Sequence, residues 1–243
     1  MLSAEIGPLL PGHRGMFVTI EGLDGCGKST QLKKLAVALR ARNVSVTTTR
    51  EPGGTLLGER IRLELLRQSN VDLSPLAELA LMFASRVQHI KDVIMPGILE
   101  GSVVLCDRFT DSTEAYQGGG RELGSRPVLA LHRILCGDLQ PDLTILMDSD
   151  VTSSVSRARR RNQRASRTGG RRQSDENRFE QETRAFFARV REGYLAIAAR
   201  EPQRVVVVDA RGTPIQTHQR IMEIVGRRVK AAAKERMISP RRH

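Results

Sequence analysis

The stretch EGLDGCGKST, Glu21 to Thr30, decides the fold of this chain. It contains three glycines around a lysine and directly follows the apolar run MFVTI at 16–20. Residues 22–29 match the spacing G-x-x-x-x-G-K-S/T, and a helical pattern of apolar residues follows at 31–42. A strand, a glycine-rich loop and a helix in this order predict a phosphate-binding loop. Its bare backbone N–H groups and the helix N-terminus together hold an anion.

The polar residues of this loop have separate predicted roles. We assign Lys28 to the outer phosphates of the nucleotide and the hydroxyl of Ser29 to a Mg²⁺ ion. Asp107 follows the apolar run at 102–106, so we expect its carboxylate at the carboxyl edge of the sheet, where open α/β sheets bind ligands. Asp107 is therefore a second candidate for the metal site, through a metal-bound water. The predicted ATP-binding residues are Gly22, Gly25, Gly27, Lys28, Ser29 and Thr30.

Apolar, β-branched runs recur along the chain and alternate with helical patterns. This alternation predicts an α/β fold with a five-stranded parallel sheet and helices on both faces. The runs lie at 16–20, 44–49, 102–106, 142–148 and 204–210. The helical patterns lie at 31–42, 74–99, 174–199 and 214–234, with Ser74 and Pro75 as the cap and first turn of the second helix and a bend near Pro96.

One segment, residues 157–178, is rich in arginine and contains almost no apolar residue. Because such a composition cannot pack into a core, it predicts a mobile surface loop between two helices. We divide the chain into a flexible leader at 1–14, one phosphate-loop domain at 15–230 and a basic tail at 231–243.

The composition of the 243 residues sets broad limits on function. A formal net charge of +12 suits nucleic acids, acidic membranes and small polyanions alike, so it does not choose among them. Three widely spaced cysteines without a C-x-x-C pair indicate neither a disulfide framework nor a zinc site. No apolar run approaches the ~18 residues of a membrane helix, so we expect a cytoplasmic protein without a membrane partner.

Five segments together resemble one family, the bacterial thymidylate kinases, which are P-loop nucleoside monophosphate kinases. They are EGLDGCGKST, TREPGGTLLGERIR, LMFASRVQ, DRFTDSTEAYQGGGR and NRFEQE, and they occur in this order. The resemblance covers about residues 15–230. It implies a P-loop NTPase fold, phosphoryl transfer from ATP to dTMP giving dTDP and ADP in dTTP synthesis, Mg²⁺ as cofactor, and a homodimer.

The resemblance also implies which residues surround the sugar and phosphate of dTMP. Asp24 matches the loop acid that faces the deoxyribose, and Tyr116 is expected to pack against the same sugar. Arg62, Arg86 and Arg108 match arginines around the phosphate. Guanidinium groups suit this task because their planar donors bind two phosphate oxygens at once and stay charged.

For the base, the resemblance implies contacts from Thr113 and Gln117. A buried amide both donates and accepts hydrogen bonds, so it can reject an analogue that lacks the matching group. Glu51 and Pro52 match a loop in which the proline shapes the acceptor pocket and the acid lies near the metal and phosphates.

The sequence departs from the family at the aromatic residue that covers the base. The family usually places this aromatic four residues before the helix arginine, but Met82 stands four residues before Arg86 and Phe83 stands three before it. Spacing favours Met82, since a four-residue step keeps two side chains on one helix face. A flat ring covers a pyrimidine better, so we slightly prefer Phe83.

The arginine-rich segment matches the lid of the family, whose arginines fold over the transferred phosphoryl group. The loop interior at 23–26 carries no cation, so the lid is expected to supply it. The candidates are Arg157, Arg159, Arg161 and Arg178. We select Arg159 as a catalytic residue, together with Lys28, Asp24 and Arg108.

Two other functions fit parts of the pattern. A related kinase could act on another nucleotide or a deoxynucleoside. A P-loop protein with a basic lid and tail could instead bind nucleic acid, with a strongly salt-dependent affinity. Aromatic residues make up only 3% of the chain, too few for clustered base stacking, so we do not expect a nucleic-acid partner.

Overall fold

The fold is described by a computed structural model, which covers residues 15–66, 73–137, 139–167 and 178–238 of the chain. Its centre is a sheet of five parallel strands in the order β2-β3-β1-β4-β5. The strands are β1 (Met16–Glu21), β2 (Val46–Arg50), β3 (Val103–Asp107), β4 (Leu143–Asp148) and β5 (Val205–Asp209). The predicted α/β fold with a five-stranded parallel sheet is confirmed.

Helices cover both faces of the sheet, and the central strand explains why. Every residue of β1 is buried, and its side chains alternate between two separate apolar clusters. Val18 and Ile20 pack toward one face, whereas Phe17 packs toward the other. A strand covered on both sides needs an uninterrupted apolar run, and the sequence supplies one at this position.

The structure contains the predicted helices and several that were not predicted. Ser74 caps its helix by accepting a hydrogen bond from the Ala77 amide, and Pro75 lies in the first turn as predicted. The long helix that follows changes to a π-helical turn at Ile90–Ile94, just before Pro96. Three helical segments, at 56–66, 110–120 and 125–136, were not predicted.

The helices are numbered here in chain order. They are α1 (Lys28–Arg40), α2 (Leu56–Leu66), α3 (Pro75–His89), α4 (Met95–Leu99), α5 (Thr110–Thr113, continued by a π-helical turn at Glu114–Gly120), α6 (Ser125–Cys136), α7 (Val151–Arg167), α8 (Arg184–Arg200, preceded by a 3₁₀ turn at Arg178–Gln181) and α9 (Pro214–Ile238). Within the described ranges, no helix is both long and apolar enough to cross a bilayer.

The predicted loop at 157–178 needs a correction, because α7 continues through Arg167. Asp150 starts this helix by accepting the Ser153 amide, and Ala158 is buried on its inner side. Arginine and alanine favour helices even where few apolar residues are present. Residues 168–177 of the predicted lid, the leader at 1–14 and the end of the tail at 239–243 lie outside the described residues.

Candidate active site

A cleft opens at the carboxyl ends of β1, β2 and β3. This is where the topology of a parallel α/β sheet favours ligand binding. The structure brings ten of the eleven predicted acceptor residues to its walls, namely Asp24, Glu51, Pro52, Arg62, Met82, Arg86, Arg108, Thr113, Tyr116 and Gln117. Arg161 and Phe179 also line the cleft.

The phosphate loop joins β1 to α1 beside this cleft. Gly22 and Gly25 have positive φ angles of 134° and 81°. A Cβ at Gly22 would lie 2.5 Å from the Met147 carbonyl oxygen, and one at Gly25 would lie 2.1 Å from that of Ser154. The loop therefore needs glycine for its conformation and for its close packing against β4 and α7.

Lys28 starts α1 and folds back over this loop. Its Nζ donates to the carbonyl oxygens of Gly22, at 3.0 Å, and Leu23, at 2.9 Å. The same Nζ lies 3.9 Å from Oδ1 of Asp24. The ammonium group is therefore held within the loop whose backbone amides are predicted to bind phosphate.

Ser29 and Asp107 meet next to the loop, as the sheet order requires. Strand β3 is the neighbour of β1, and the Ser29 hydroxyl donates to Oδ2 of Asp107 at 2.6 Å. A hydroxyl and a carboxylate are hard oxygen donors of the kind that Mg²⁺ prefers. Among the described residues there is no cluster of three or more His, Cys, Asp or Glu that could hold a metal by itself. The pair fits an ion that takes its remaining oxygens from substrate phosphates and water.

Arg108 is the central cation of one end of the cleft. Its Nη2 donates to Oδ1 of Asp24 at 2.8 Å and to the Tyr116 hydroxyl at 3.1 Å. Its Nη1 donates to the hydroxyls of Ser112, at 2.9 Å, and Tyr194, at 3.0 Å. Burial alone would raise the pKa of Asp24, but the charges of Arg108 and Lys28 outweigh burial and hold that pKa well below its usual range. This end of the cleft is thus a fixed, charged frame.

Beneath Arg108 lies a buried carboxylate that sequence analysis gave no role. Glu21 ends β1 and accepts hydrogen bonds from the Phe109 amide at 2.7 Å, the Ser112 hydroxyl at 2.5 Å and the Tyr194 hydroxyl at 3.2 Å. Burial and the nearby charge of Asp111 raise the pKa of Glu21 to about 8. The hydroxyls connect Glu21 to Arg108. Tyr194 comes from α8, far along the chain, and no local pattern marked it.

Arg86 is almost completely buried and is paired with Glu51 rather than exposed to solvent. Its Nε donates to Oε2 of Glu51 at 2.7 Å, and its Nη2 donates to the Thr113 hydroxyl at 2.7 Å. The other oxygen of Glu51 bonds Nδ1 of His89 at 2.9 Å, and Nε2 of that ring lies 2.5 Å from the Thr49 hydroxyl.

The Glu51 amide donates to the Asp107 carbonyl at 3.0 Å, so the residue lies beside the candidate metal site, and its expected nearness to the metal and phosphates stays a prediction. Both of its carboxylate oxygens are occupied, by Arg86 and His89. Burial would raise the pKa of Glu51, but the charge of Arg86 and the bonds from both partners lower it. Glu51 therefore acts as the counter-charge that fixes Arg86.

Two buried polar atoms on the cleft residues have no hydrogen-bond partner, Nη1 of Arg86 and Oε1 of Gln117. The other end of the Gln117 amide donates from Nε2 to Oε1 of Glu78 at 2.7 Å. Buried polar atoms are rarely left without partners, so this pair indicates a place where a ligand supplies them. One atom is a donor and the other an acceptor.

The structure does not support our preference for Phe83 over Met82. Phe83 is fully buried in the cluster with Phe17 and Ile94, on the core side of α3. Met82 is half-buried and lines the cleft. The four-residue step to Arg86 decides the matter, because it places Met82 and the arginine on the same face of the helix.

The four lid arginines have different surroundings. Arg157 donates to the Gly25 carbonyl at 2.9 Å, and Arg161, one helical turn later, lines the cleft. Arg159 does not line the cleft and donates to the Glu182 carbonyl at 3.4 Å, so its selection as the catalytic arginine stays a prediction. Residues two apart on a helix face different directions, whereas residues four apart share a face. Arg178 donates to Glu78 and to the Leu65 carbonyl instead of lining the cleft.

Comparisons with known proteins agree on one family. The family model described as thymidylate kinase matches residues 20–221. A thymidylate kinase of Trichlorobacter lovleyi is 47% identical over 210 residues, covering 86% of this chain and 96% of the relative. One from Pseudomonas syringae pv. syringae is 49% identical over 199 residues, covering 82% and 89%. The crystal structure of thymidylate kinase from Ehrlichia chaffeensis aligns with a TM-score of 0.67 at 32% identity, covering 89% of this chain and 99% of that one.

Proposed function

Because the chain belongs to the thymidylate kinase family, we propose that the cleft is the dTMP site of an enzyme that transfers a phosphoryl group from ATP to dTMP. The products are dTDP and ADP. The observation that carries this assignment is the buried pair of partnerless atoms, Nη1 of Arg86 and Oε1 of Gln117.

This pair matches one edge of thymine. Thymine carries an N3–H donor beside an O4 acceptor, so N3–H meets the Gln117 oxygen and O4 meets the Arg86 nitrogen. Cytosine has the opposite pattern, an N3 acceptor beside a 4-amino donor. Its N3 would face the acceptor oxygen of Gln117, and its amino group would face the donor nitrogen of Arg86. The assignment moves Arg86 from the phosphate, where the resemblance had put it, to the base. Met82 supplies the apolar surface over the ring.

The phosphate of dTMP belongs at the other end, between Arg108, Arg62 and the phosphate loop. Arg62 lines the cleft and donates to the Pro52 carbonyl at 3.0 Å, so its guanidinium stays beside the loop after β2. Asp24 and the Tyr116 hydroxyl hold Arg108 from one side, next to where the sugar would lie. These contacts keep the cationic groups in place before the substrate arrives.

The chemistry follows from this placement. The transition state of phosphoryl transfer spreads negative charge over the equatorial oxygens, so the protein positions the reactants and supplies cations. The acceptor phosphate is already an anion at neutral pH, and no strong general base is required. Lys28 would bind the outer phosphates of ATP, and Arg161 of α7 would add a lid cation at the wall of the cleft.

We assign Mg²⁺ to Ser29 and Asp107, on the basis of their 2.6 Å contact beside the phosphate loop. Ser29 and Asp107 would hold the ion, which would neutralise part of the charge of the ATP phosphates. The role of the protein residues is to hold two oxygen donors next to the loop amides, at the carboxyl edge of β3.

We also propose that the enzyme is a homodimer through α2, α3 and α6. One side of α3 exposes an apolar stripe at a helical spacing, Leu76, Ala80, Ala84 and Val87. Helices α2 and α6 both pack beside α3. Each adds exposed apolar residues, including Leu56 of α2 and Ile134 of α6. Exposed apolar residues on three neighbouring helices are typical of an interface. Sedimentation of wild type and Ala84→Arg tests it, and equal masses would argue against it.

The cytoplasm remains our expected compartment. All three cysteines are buried free thiols, which suits a reducing environment.

The test of the proposed function is a coupled assay of ADP release with dTMP, dUMP, dCMP and thymidine as acceptors. We expect turnover of dTMP and, more weakly, of dUMP, with dCMP lower by about 10³-fold because two buried hydrogen bonds are mismatched. Equal turnover of dCMP would remove the proposed base contacts. Oligonucleotide binding at physiological salt without kinase activity would favour a nucleic-acid function instead.

A further inference from the structure

Glu78 of α3 touches the base-recognition end of the cleft without lining it. Its side chain is 0% exposed. Oε1 accepts a hydrogen bond from Nε2 of Gln117 at 2.7 Å, and Oε2 accepts one from Nη2 of Arg178 at 2.5 Å. Arg121 donates from Nε to both oxygens at 3.3 Å. Glu78 thus joins one residue of the cleft to two arginines behind it.

The two arginines determine what Glu78 offers to Gln117. Both arginines donate to the carboxylate oxygens of Glu78, so the carboxylate acts as the acceptor in these contacts. A charged carboxylate only accepts hydrogen bonds. Glu78 therefore requires a donor from the amide of Gln117.

This requirement fixes the orientation of the amide. A glutamine amide has an NH₂ edge and an oxygen edge, and a free one can turn either way. In this site the reverse orientation would place the Gln117 oxygen against the Glu78 carboxylate. The observed orientation directs Nε2 to Glu78, which leaves the buried and partnerless Oε1 for the ligand.

We propose that Glu78 is a specificity-determining positioning residue that makes Gln117 present an acceptor, so that the cleft selects pyrimidines with an N3–H group. The inference rests on the proposed function of the cleft as the dTMP site. It also gives Arg121 and Arg178 a role, since their hydrogen bonds hold Glu78 in place as an acceptor. Arg178 then belongs to base selection rather than to the phosphoryl clamp.

The experiment compares kcat/KM for dUMP and dCMP in wild type and in Glu78→Gln. These two substrates differ only at the ring edge and both lack the 5-methyl group. Glutamine at position 78 offers a donor as well as an acceptor, so Gln117 can turn and present its NH₂ to the N3 of cytosine. We expect the ratio of dUMP to dCMP to fall by about tenfold to a hundredfold, the size of one buried hydrogen-bond mismatch.

Two further variants separate this role from a structural one. Glu78→Asp keeps the carboxylate, so we expect the ratio to be retained even where KM rises. Glu114→Gln is a matched control, because Glu114 is a buried glutamate of the same helical segment as Gln117, bonded twice by Arg200, and it does not line the cleft. Its ratio should equal that of wild type.

The outcomes distinguish the two proposals. Equal kcat/KM values of the wild type for dUMP and dCMP would contradict the proposed base contacts. A discriminating wild type with an unchanged ratio in Glu78→Gln would overturn the role of Glu78 alone, as would an equal fall in Glu114→Gln. If Glu78→Gln does not fold, the double variant Glu78→Gln/Arg178→Gln also removes a cation that the single variant leaves unpaired. Its ratio of kcat/KM for dUMP to that for dCMP then tests the role of Glu78 in the same way.

Discussion

The contact between Arg86 and Glu51 is the most informative place to perturb this protein. Glu51→Gln keeps the size of the side chain and removes its charge. In the wild type, one oxygen of Glu51 accepts from Nε of Arg86 at 2.7 Å and the other bonds His89 at 2.9 Å. Neither member of the ion pair reaches water, since the side chains are 2% and 4% exposed. The variant leaves a buried guanidinium without its counter-charge.

The size of the effect follows from this burial. Removing one partner of a buried ion pair costs about 3–5 kcal/mol of unfolding free energy. For a chain of this length, about 1 kcal/mol corresponds to a shift of about 2–4 °C in Tm, so we expect a loss of about 6–20 °C. Glu114→Gln provides the comparison. Its partner Arg200 is 40% exposed, so water can solvate the freed cation, and we expect a loss of about 1 kcal/mol.

Urea unfolding and thermal unfolding of both variants measure these losses, and kinetics with dTMP adds a second observable. Because Glu51 also fixes the donor that meets O4 of thymine, Glu51→Gln should raise the KM for dTMP, whereas Glu114→Gln should not. A loss below about 1 kcal/mol in Glu51→Gln, or equal losses in the two variants, would refute the buried-pair argument.

Three more predictions concern the loop, the lid and pH. Lys28→Ala should lower kcat at least a hundredfold, because the outer phosphates lose their cation, and normal turnover would remove Lys28 from the mechanism. Arg161→Ala should lower kcat at least tenfold and Arg159→Ala less than twofold, since of these two arginines only Arg161 lines the cleft. The opposite order would make Arg159 the lid arginine that stabilises the transition state. The pKa of Glu21 is about 8 when folded against 4.5 when unfolded, so folding takes up a proton and wild-type stability should fall as pH rises from about 5 to 8. Glu21→Gln should lose this slope in urea titrations across that range, and parallel curves would show that Glu21 is ionised throughout.

The sheet and the phosphate loop were predictable because their determinants are local. Every residue of β1 faces a helix-covered side, so a continuous apolar run had to be present in the sequence. The loop glycines are required by positive φ angles and close backbone contacts, which no other residue type tolerates. The apolar run and the loop glycines therefore occur at a recognisable spacing in the sequence.

The rest of the site depends on how distant elements pack. Glu78 lies in a helix whose apolar pattern explains its neighbours, and nothing in that pattern indicates that it will meet Gln117. Tyr194 reaches Arg108 from α8 across 86 residues of sequence. The choice between Met82 and Phe83 depended on the rotation of α3, where the spacing to Arg86 was a better guide than the shape of the side chain.

The most direct measurement is a crystal structure of the protein with dTMP bound. Our account predicts that N3 of thymine lies about 3 Å from Oε1 of Gln117, that O4 lies at the same distance from Nη1 of Arg86, and that the phosphate contacts Arg108. A complex in which the phosphate is bound by Arg86, or in which the N3–O4 edge faces away from Gln117, would contradict it.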